Sequence, residues 1–316
     1  MNNFDEMRAL LRQAVESGDR LAGWHAAGQI VSALSDASMP VDQTTAFRLI
    51  WTAVRRRWFD MAELLAGAVA ARPDGTADAR RLHAQMLLER GFYDEALARL
   101  EILRNDPTLS RWGLQELFGN LERVYKDRFL SRTDVPNGSA ARVFLQKALD
   151  AYSGWYRLHP TSVWHGINTV ALLARPEAAA IEQDPPAESK RMARTILAEV
   201  SRQDPQFIGE HSAAAMAEAS VALEDYPAAL DWLHKHINGP HANGFALANL
   251  LRQFVRLWRL DRRGDQGAAL VAVLRAAVLE REGGVVQMSG NDVRRELKGA
   301  AGTQYQAVFG SDRFDS

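Results

Sequence analysis

Leu82 to Pro107, LHAQMLLERGFYDEALARLEILRNDP, carries the reading on which the fold depends. Leu82 and Met86 stand four residues apart with Leu87 beside Met86, Gly91 interrupts the run, and Tyr93, Ala96, Leu97 and Leu100 begin a second stripe at three- and four-residue steps. Two amphipathic helices folded back across a tight turn satisfy this pattern. Small Ala96 lets them approach closely, and Pro107 ends the second. Such a hairpin carries more apolar surface than it can cover, so it requires stacked neighbours.

Those neighbours are visible upstream. Ala46 to Val54 and Phe59 to Ala70 form a similar pair, with Ala62 lying 34 positions before Ala96 and Pro73 34 before Pro107. Two independent anchors agree on the tetratricopeptide (TPR) period. Downstream, EDYPAALDWL (Glu224 to Leu233) repeats the Tyr-x-x-Ala-Leu pattern, and Ala229 sits 133 positions beyond Ala96, close to four periods. The fold expected is all-α: a TPR-type helical-repeat superhelix with an irregular central pair of repeats.

As one repeat domain over 1–316, the chain divides into N-terminal capping helices (1–45), two regular units (46–107), divergent central repeats (108–205), C-terminal repeats (206–282), and a loop, capping helix and tail (283–316). The first helix spans Asn3 to Ser17, with Phe4, Met7, Leu10, Leu11 and Val15 on one face. Asp42 is a helix start. Ala174 to Ala187, interrupted by Pro176, Pro185 and Pro186, reads as a surface connection. A short extended piece is expected at Val285 to Met288, and a weak helix from Val293.

Composition narrows the function. Lys and Arg total 38 against 39 acidic residues, for a formal charge of −1, a poor match to a protein that neutralises nucleic-acid phosphates. The absence of cysteine excludes disulfides, thiolate catalysis and cysteine-ligated zinc. The N-terminus lacks the apolar core of a signal peptide, and no uncharged apolar run reaches the ~18–20 residues of a membrane span. The expectation is a cytoplasmic protein with no nucleic-acid or membrane partner.

No Gly-x-Ser-x-Gly elbow, Walker-type loop or His-Glu-x-x-His motif occurs, so no catalytic residue and no cofactor is assigned. His234, His236 and His241 invite a metal reading, but no carboxylate stands at ligand spacing, and cations at a helix end are favoured by its dipole. No metal is assigned. Arg55-Arg56-Arg57 and Arg80-Arg81 read as solvated helix faces, with an acidic partner peptide as the alternative. The eight tryptophans fall mostly on apolar stripes, which points to burial.

The centre of the chain carries a family resemblance. LERVYKDRF (Leu121 to Phe129) and SGWYRLHPTSVWHGINTVALLA (Ser153 to Ala174) resemble the TPR-like regulatory, TRAFs-binding domain of apoptosis-signal-regulating protein kinases. Tyr125, Lys126, Asp127, Phe129, Trp155, Tyr156, Gly166, Ile167, Asn168, Leu172 and Leu173 are shared in order and spacing, and the resemblance covers most of Ala46 to Arg281. It departs at Leu121 and Glu122, where the family has Gly and Arg. The resemblance implies a regulatory region that works through partners and neighbouring copies. Bacterial relatives look like N-terminal modules on effectors, often trypsin-like proteases, in stress or defence proteins. The tail YQAVFGSDRFDS (Tyr305 to Ser316) resembles the end of the TPR part in such fusions, which implies a missing effector domain.

The candidate partner- or ligand-binding residues are Arg123, Tyr125, Lys126, Asp127, Arg128, Trp164 and Asn168. Tyr125, Lys126 and Asp127 either pair across the Trp155 to Asn168 helices and fix the angle of the irregular repeats, or contact a ligand. Asn168 either caps a backbone carbonyl or reads an extended peptide. The leading expectation is a non-catalytic interaction module that binds a protein or peptide in its concave groove, or another copy, and controls an effector. Two alternatives stand beside it: a small-molecule or nucleotide sensor with a pocket among Arg123, Lys126, Arg128 and Asn168, and a free-standing structural adaptor.

Overall fold

The computed structural model describes residues 3–36, 41–131, 139–202, 210–240 and 242–282. The extended piece expected at Val285 to Met288 and the helix expected from Val293 lie outside these residues. Among them are fourteen α-helices and no strand. The chain is a helical-repeat protein, as the 34-residue spacing requires.

Two compact units divide it, Met1–Val124 and Tyr125–Arg281. The first contains α1 (Asn3–Ser17), α2 (Arg20–Leu34), α3 (Gln43–Val54), α4 (Phe59–Ala71), α5 (Ala77–Glu89) and α6 (Tyr93–Leu103). The division falls within α7 (Arg111–Leu130). The second contains α8 (Ser139–Leu158), α9 (Val163–Leu173), α10 (Pro185–Ser201), α11 (Glu210–Ala222), α12 (Tyr226–Ile237), α13 (Gly244–Arg252) and α14 (Gly264–Glu282). Within each unit helices pack on a sequence neighbour and on a helix two positions away along the chain: α4 on α5 and α2, α9 on α10 and α11. This is the contact pattern of stacked hairpins.

The repeat is written in the backbone as well as in the side chains. Gly18, Arg57, Gly91 and Glu224 all have positive φ, between 59° and 84°. Each ends the first helix of a hairpin with the same two hydrogen bonds, for instance Gly91 N to Leu88 O (3.1 Å) and Phe92 N to Leu87 O (3.0 Å), or Glu224 N to Val221 O (3.0 Å) and Asp225 N to Ser220 O (2.9 Å). A left-handed residue reverses the chain and satisfies the last carbonyls of the helix. Ala62, Ala96 and Ala229, the small residues of the repeat, are fully buried. Asp42 starts α3 by accepting from Thr45 N at 3.0 Å.

Several sequence expectations need correction. Ala174 to Ala187 is not simply a surface connection: Pro176–Ala180 is a 3₁₀ turn, Arg175 and Ala178 are buried, and α10 already starts at Pro185. Pro185 and Pro186 occupy the first helical positions, where a missing N–H costs nothing, behind the Asp184 cap. Leu10 is exposed although Phe4, Met7, Leu11 and Val15 are buried. Of the tryptophans, Trp58 and Trp258 are buried, while Trp112 and Trp164 are exposed. A tryptophan need not be sunk to be useful, because its face can also carry a cation, as Trp232 does for Lys235 at 4.0 Å. Arg81 is not on a solvated face; it is wholly buried. Its helix α5 packs against α4 and α6, leaving little of its circumference in water.

Candidate functional site

The polar centre of the second unit begins at the end of α7, where Lys126 and Asp127 are buried beside Phe129. A buried ammonium needs oxygen acceptors to replace water. Lys126 Nζ donates to Asn168 Oδ1 at 2.6 Å and to Gln253 Oε1 at 3.0 Å. Gln253 Nε2 donates to the same Asn168 Oδ1 at 2.9 Å, and Asn168 Nδ2 donates back to Trp164 O at 2.9 Å. Lys126 also lies over the Tyr152 ring, 5.6 Å from its centroid.

Local structure explains why these groups meet. Gly166 lets α9 approach α8: a Cβ there would come within 2.8 Å of the Tyr156 ring, so both residues of the shared motif act through one close contact. Asn168 then lies at the buried face of α9, every residue of which from His165 to Leu173 is buried. At the other end α13 passes at Gln253 into a π-type turn, Gln253–Leu257, closed by Trp258 N donating to Gln253 O at 3.0 Å. Such a widened turn re-aims side chains and is frequent at functional positions. It sends Trp258 into the core, where Nε1 donates to Glu218 Oε2 of α11 at 2.7 Å.

Glu218 is a buried carboxyl whose pKa is pushed up to about 7 by desolvation, against the Trp258 hydrogen bond and the positive charge of Lys126. Asp127 lies 3.9 Å from Arg256, on the same π-type turn. One polar cluster therefore joins α7, α9, α11 and the end of α13. His165, next to this cluster in α9, is held neutral: burial, then His159, depresses its pKa to about 3, and its Nδ1 shares a 2.6 Å hydrogen bond with Ser162 Oγ.

The residues singled out from the sequence are distributed unequally. Lys126 and Asn168 are brought into direct contact, and Trp164 joins them through its carbonyl while its ring stays exposed, edge-on to Tyr152 at 5.6 Å. Tyr125 is half-buried with Lys147 over its ring at 5.5 Å, and Arg128 is half-buried. Arg123 belongs to the first unit, where it forms a two-pronged pair with Glu89, including Nη2 to Oε2 at 2.8 Å. A cleft of about 910 Å³ lies in the first unit, lined by α1 and α2 residues such as Leu10, Ala14, Leu21 and Trp24. Among the described residues, no group of three His, Asp or Glu could hold a metal; His241 lies outside them.

Sequence reasoning missed Glu218 and Gln253. A usable signal exists for Glu218, a lone charge in the small-residue run SAAAMAEASVA. A charge amid alanines on a buried helix needs a reason.

The family model described as Tetratricopeptide Repeats-Sensor, TPR-S, matches residues 3–173, more than half of the 316-residue chain. The chain belongs to the TPR-S family. The TPR-S match ends at Leu173, the last residue of α9. It therefore contains Lys126 and Asn168 but stops short of Glu218 and Gln253. No curated protein matches the chain. TPR repeats generally mediate protein–protein interaction, and repeat domains of this type are typically non-catalytic. The TPR-S family suggests a regulatory or sensing module, and no helix among the described residues is long and apolar enough to cross a membrane.

Proposed function

We propose that this TPR-S chain is a non-catalytic sensing module that binds a protein partner and thereby controls an attached or associated effector. The observation that carries the reading is the cluster of Lys126, Asn168, Gln253 and Glu218, in which four helices from successive hairpins depend on one set of buried hydrogen bonds and charges. A partner that engages the partly exposed rim, Trp164, Arg128 and Arg256, acts on the residues that fix the spacing of those helices. Such a binding event selects one arrangement over another in proportion to its differential affinity.

The effector is a protease in a bacterial stress or defence system, by the likeness of the central motifs to the TRAFs-binding domain of signal-regulating kinases and its protease-linked relatives, and the setting is cytoplasmic. A second reading, a small-molecule sensor, is favoured by the buried polar character of the same cluster. Affinity capture with the wild-type chain and with Trp164→Ala and Arg256→Glu, each checked for native helicity, tests the first reading. Partners lost by both variants support it, and unchanged capture overturns it. Sequencing the native gene past the Ser316 codon tests for a fused effector.

A further inference from the structure

Arg81 of α5 is wholly buried, yet its guanidinium is only partly used. Nη1 donates to Gln85 Oε1 at 2.9 Å, while Nε and Nη2 have no hydrogen-bond acceptor. That edge is the one that offers two parallel N–H bonds, the geometry that fits a planar carboxylate. Elsewhere in this chain the same edge is filled in that way. Arg72 gives Nε to Asp74 Oδ1 (2.8 Å) and Nη2 to Oδ2 (3.2 Å), and Arg175 gives Nε to Glu177 Oε2 (3.1 Å) and Nη2 to Oε1 (2.8 Å). An orphaned pair of buried donors is costly, so it requires an explanation.

The surroundings supply one. Trp112 of α7 lies over the guanidinium, 4.9 Å from ring centroid to carbon, and is itself 48% exposed, so it is a cover with water on its far side. About two turns further along α7, Asn120 has a buried Nδ2 that also lacks an acceptor. The first unit thus holds two buried donor groups without acceptors, one on α5 and one on α7. Glu116 and Asp78 already offset part of the arginine charge. This local balance favours a singly charged carboxylate over a doubly charged phosphate.

We propose that the α5–α7 face of the first unit is a carboxylate-binding site, with the Nε–Nη2 edge of Arg81 as the receptor and Trp112 as a movable cover. The site is separate from the Lys126 cluster and does not rest on the function proposed above. Arg81 is wholly buried, so binding requires the indole to move aside and open a path from water to that edge; the incoming carboxylate then takes both N–H bonds.

Arginine side-chain ¹⁵N–¹H spectra of the full chain report the Arg81 Nε–H directly. Arg81→Lys assigns the resonance by its loss; should that variant fail to fold, the ring-current change in Trp112→Ala assigns it. The probes are N-acetyl-alanyl-alanine with a free carboxylate, the same dipeptide as its amide, sodium acetate and inorganic phosphate, at matched ionic strength. The Arg81 signal should move saturably with the free-acid dipeptide, with a dissociation constant on the order of 1 mM, and stay still with the amide. Trp112→Ala should bind at least about threefold tighter, since the cover no longer holds part of the population closed. Acetate matching the dipeptide identifies a small acid as the source, and a tighter dipeptide identifies a peptide end; both support the site. No movement with either carboxylate, equal movement with the amide, or tighter binding of phosphate overturns it.

Discussion

Lys126 Nζ donates to Asn168 Oδ1 at 2.6 Å, across 42 residues of chain, and both side chains are buried. Removing the lysine head leaves the buried Asn168 oxygen and the half-buried Gln253 oxygen without their shared donor. Lys126→Met should therefore lower stability by about 1–3 kcal/mol. Urea unfolding checks this as a lower midpoint at an unchanged slope. Combined with Asn168→Leu, the loss should be less than the sum of the single losses, by about 0.5–3 kcal/mol, because each change removes the same bond.

Glu218 titrates upward, from an ordinary 4.5 to about 7 in the fold. Between these values the unfolded chain releases a proton that the native chain keeps. Stability from this group is thus complete below about pH 4.5 and is lost as pH rises through 7, by about 3 kcal/mol in total. Glu218→Gln keeps an oxygen for Trp258 Nε1 and removes the titration. Unfolding midpoints at pH 5, 6, 7 and 8 should fall more steeply for the wild type than for the variant; parallel profiles would show that the carboxyl is ionised throughout.

The neighbouring histidine has the opposite sign. His165 is depressed from 6.5 to about 3, so its contribution is present above about pH 6.5 and is lost as the unfolded chain takes up a proton on acidification. His165→Gln should flatten the acid limb, visible between pH 6.5 and 4 in a Glu218→Gln background. In the wild type the two slopes oppose each other over that range, which is why the single variants separate them better than the native profile does.

The hairpins were legible in the sequence because their signals are local: Ala62, Ala96 and Ala229 mark close approach, and all three are buried. Lys126 and Asn168 were legible only through the motif resemblance. Nothing in the sequence paired them with Gln253, 127 residues from Lys126, because long-range contacts leave no periodic trace. Arg81 was misread for a related reason. Charge pattern predicts a solvated face when one helix is considered alone, whereas α5 is covered by its neighbours on both sides. The run at Pro185 and Pro186 was misread because proline breaks a helix interior but opens a helix start.

Two glycines offer a closing test because they are constrained for different reasons. Gly91 has open space around the position of a Cβ but a φ of +84°, so Gly91→Ala should cost about 1–2 kcal/mol through the backbone alone. Gly166 has an ordinary helical backbone, where alanine would gain about 1 kcal/mol in propensity, but the added Cβ meets three Tyr156 ring atoms at 2.8–3.0 Å. A ring edge cannot yield as a flexible chain does. Gly166→Ala should therefore be destabilising overall, by about 1–3 kcal/mol, and Tyr156→Ala should abolish most of that added loss when the two are combined. If Gly166→Ala instead raises the unfolding midpoint, the Tyr156 ring moves freely, and the α8–α9 contact is not what places Asn168 under Lys126.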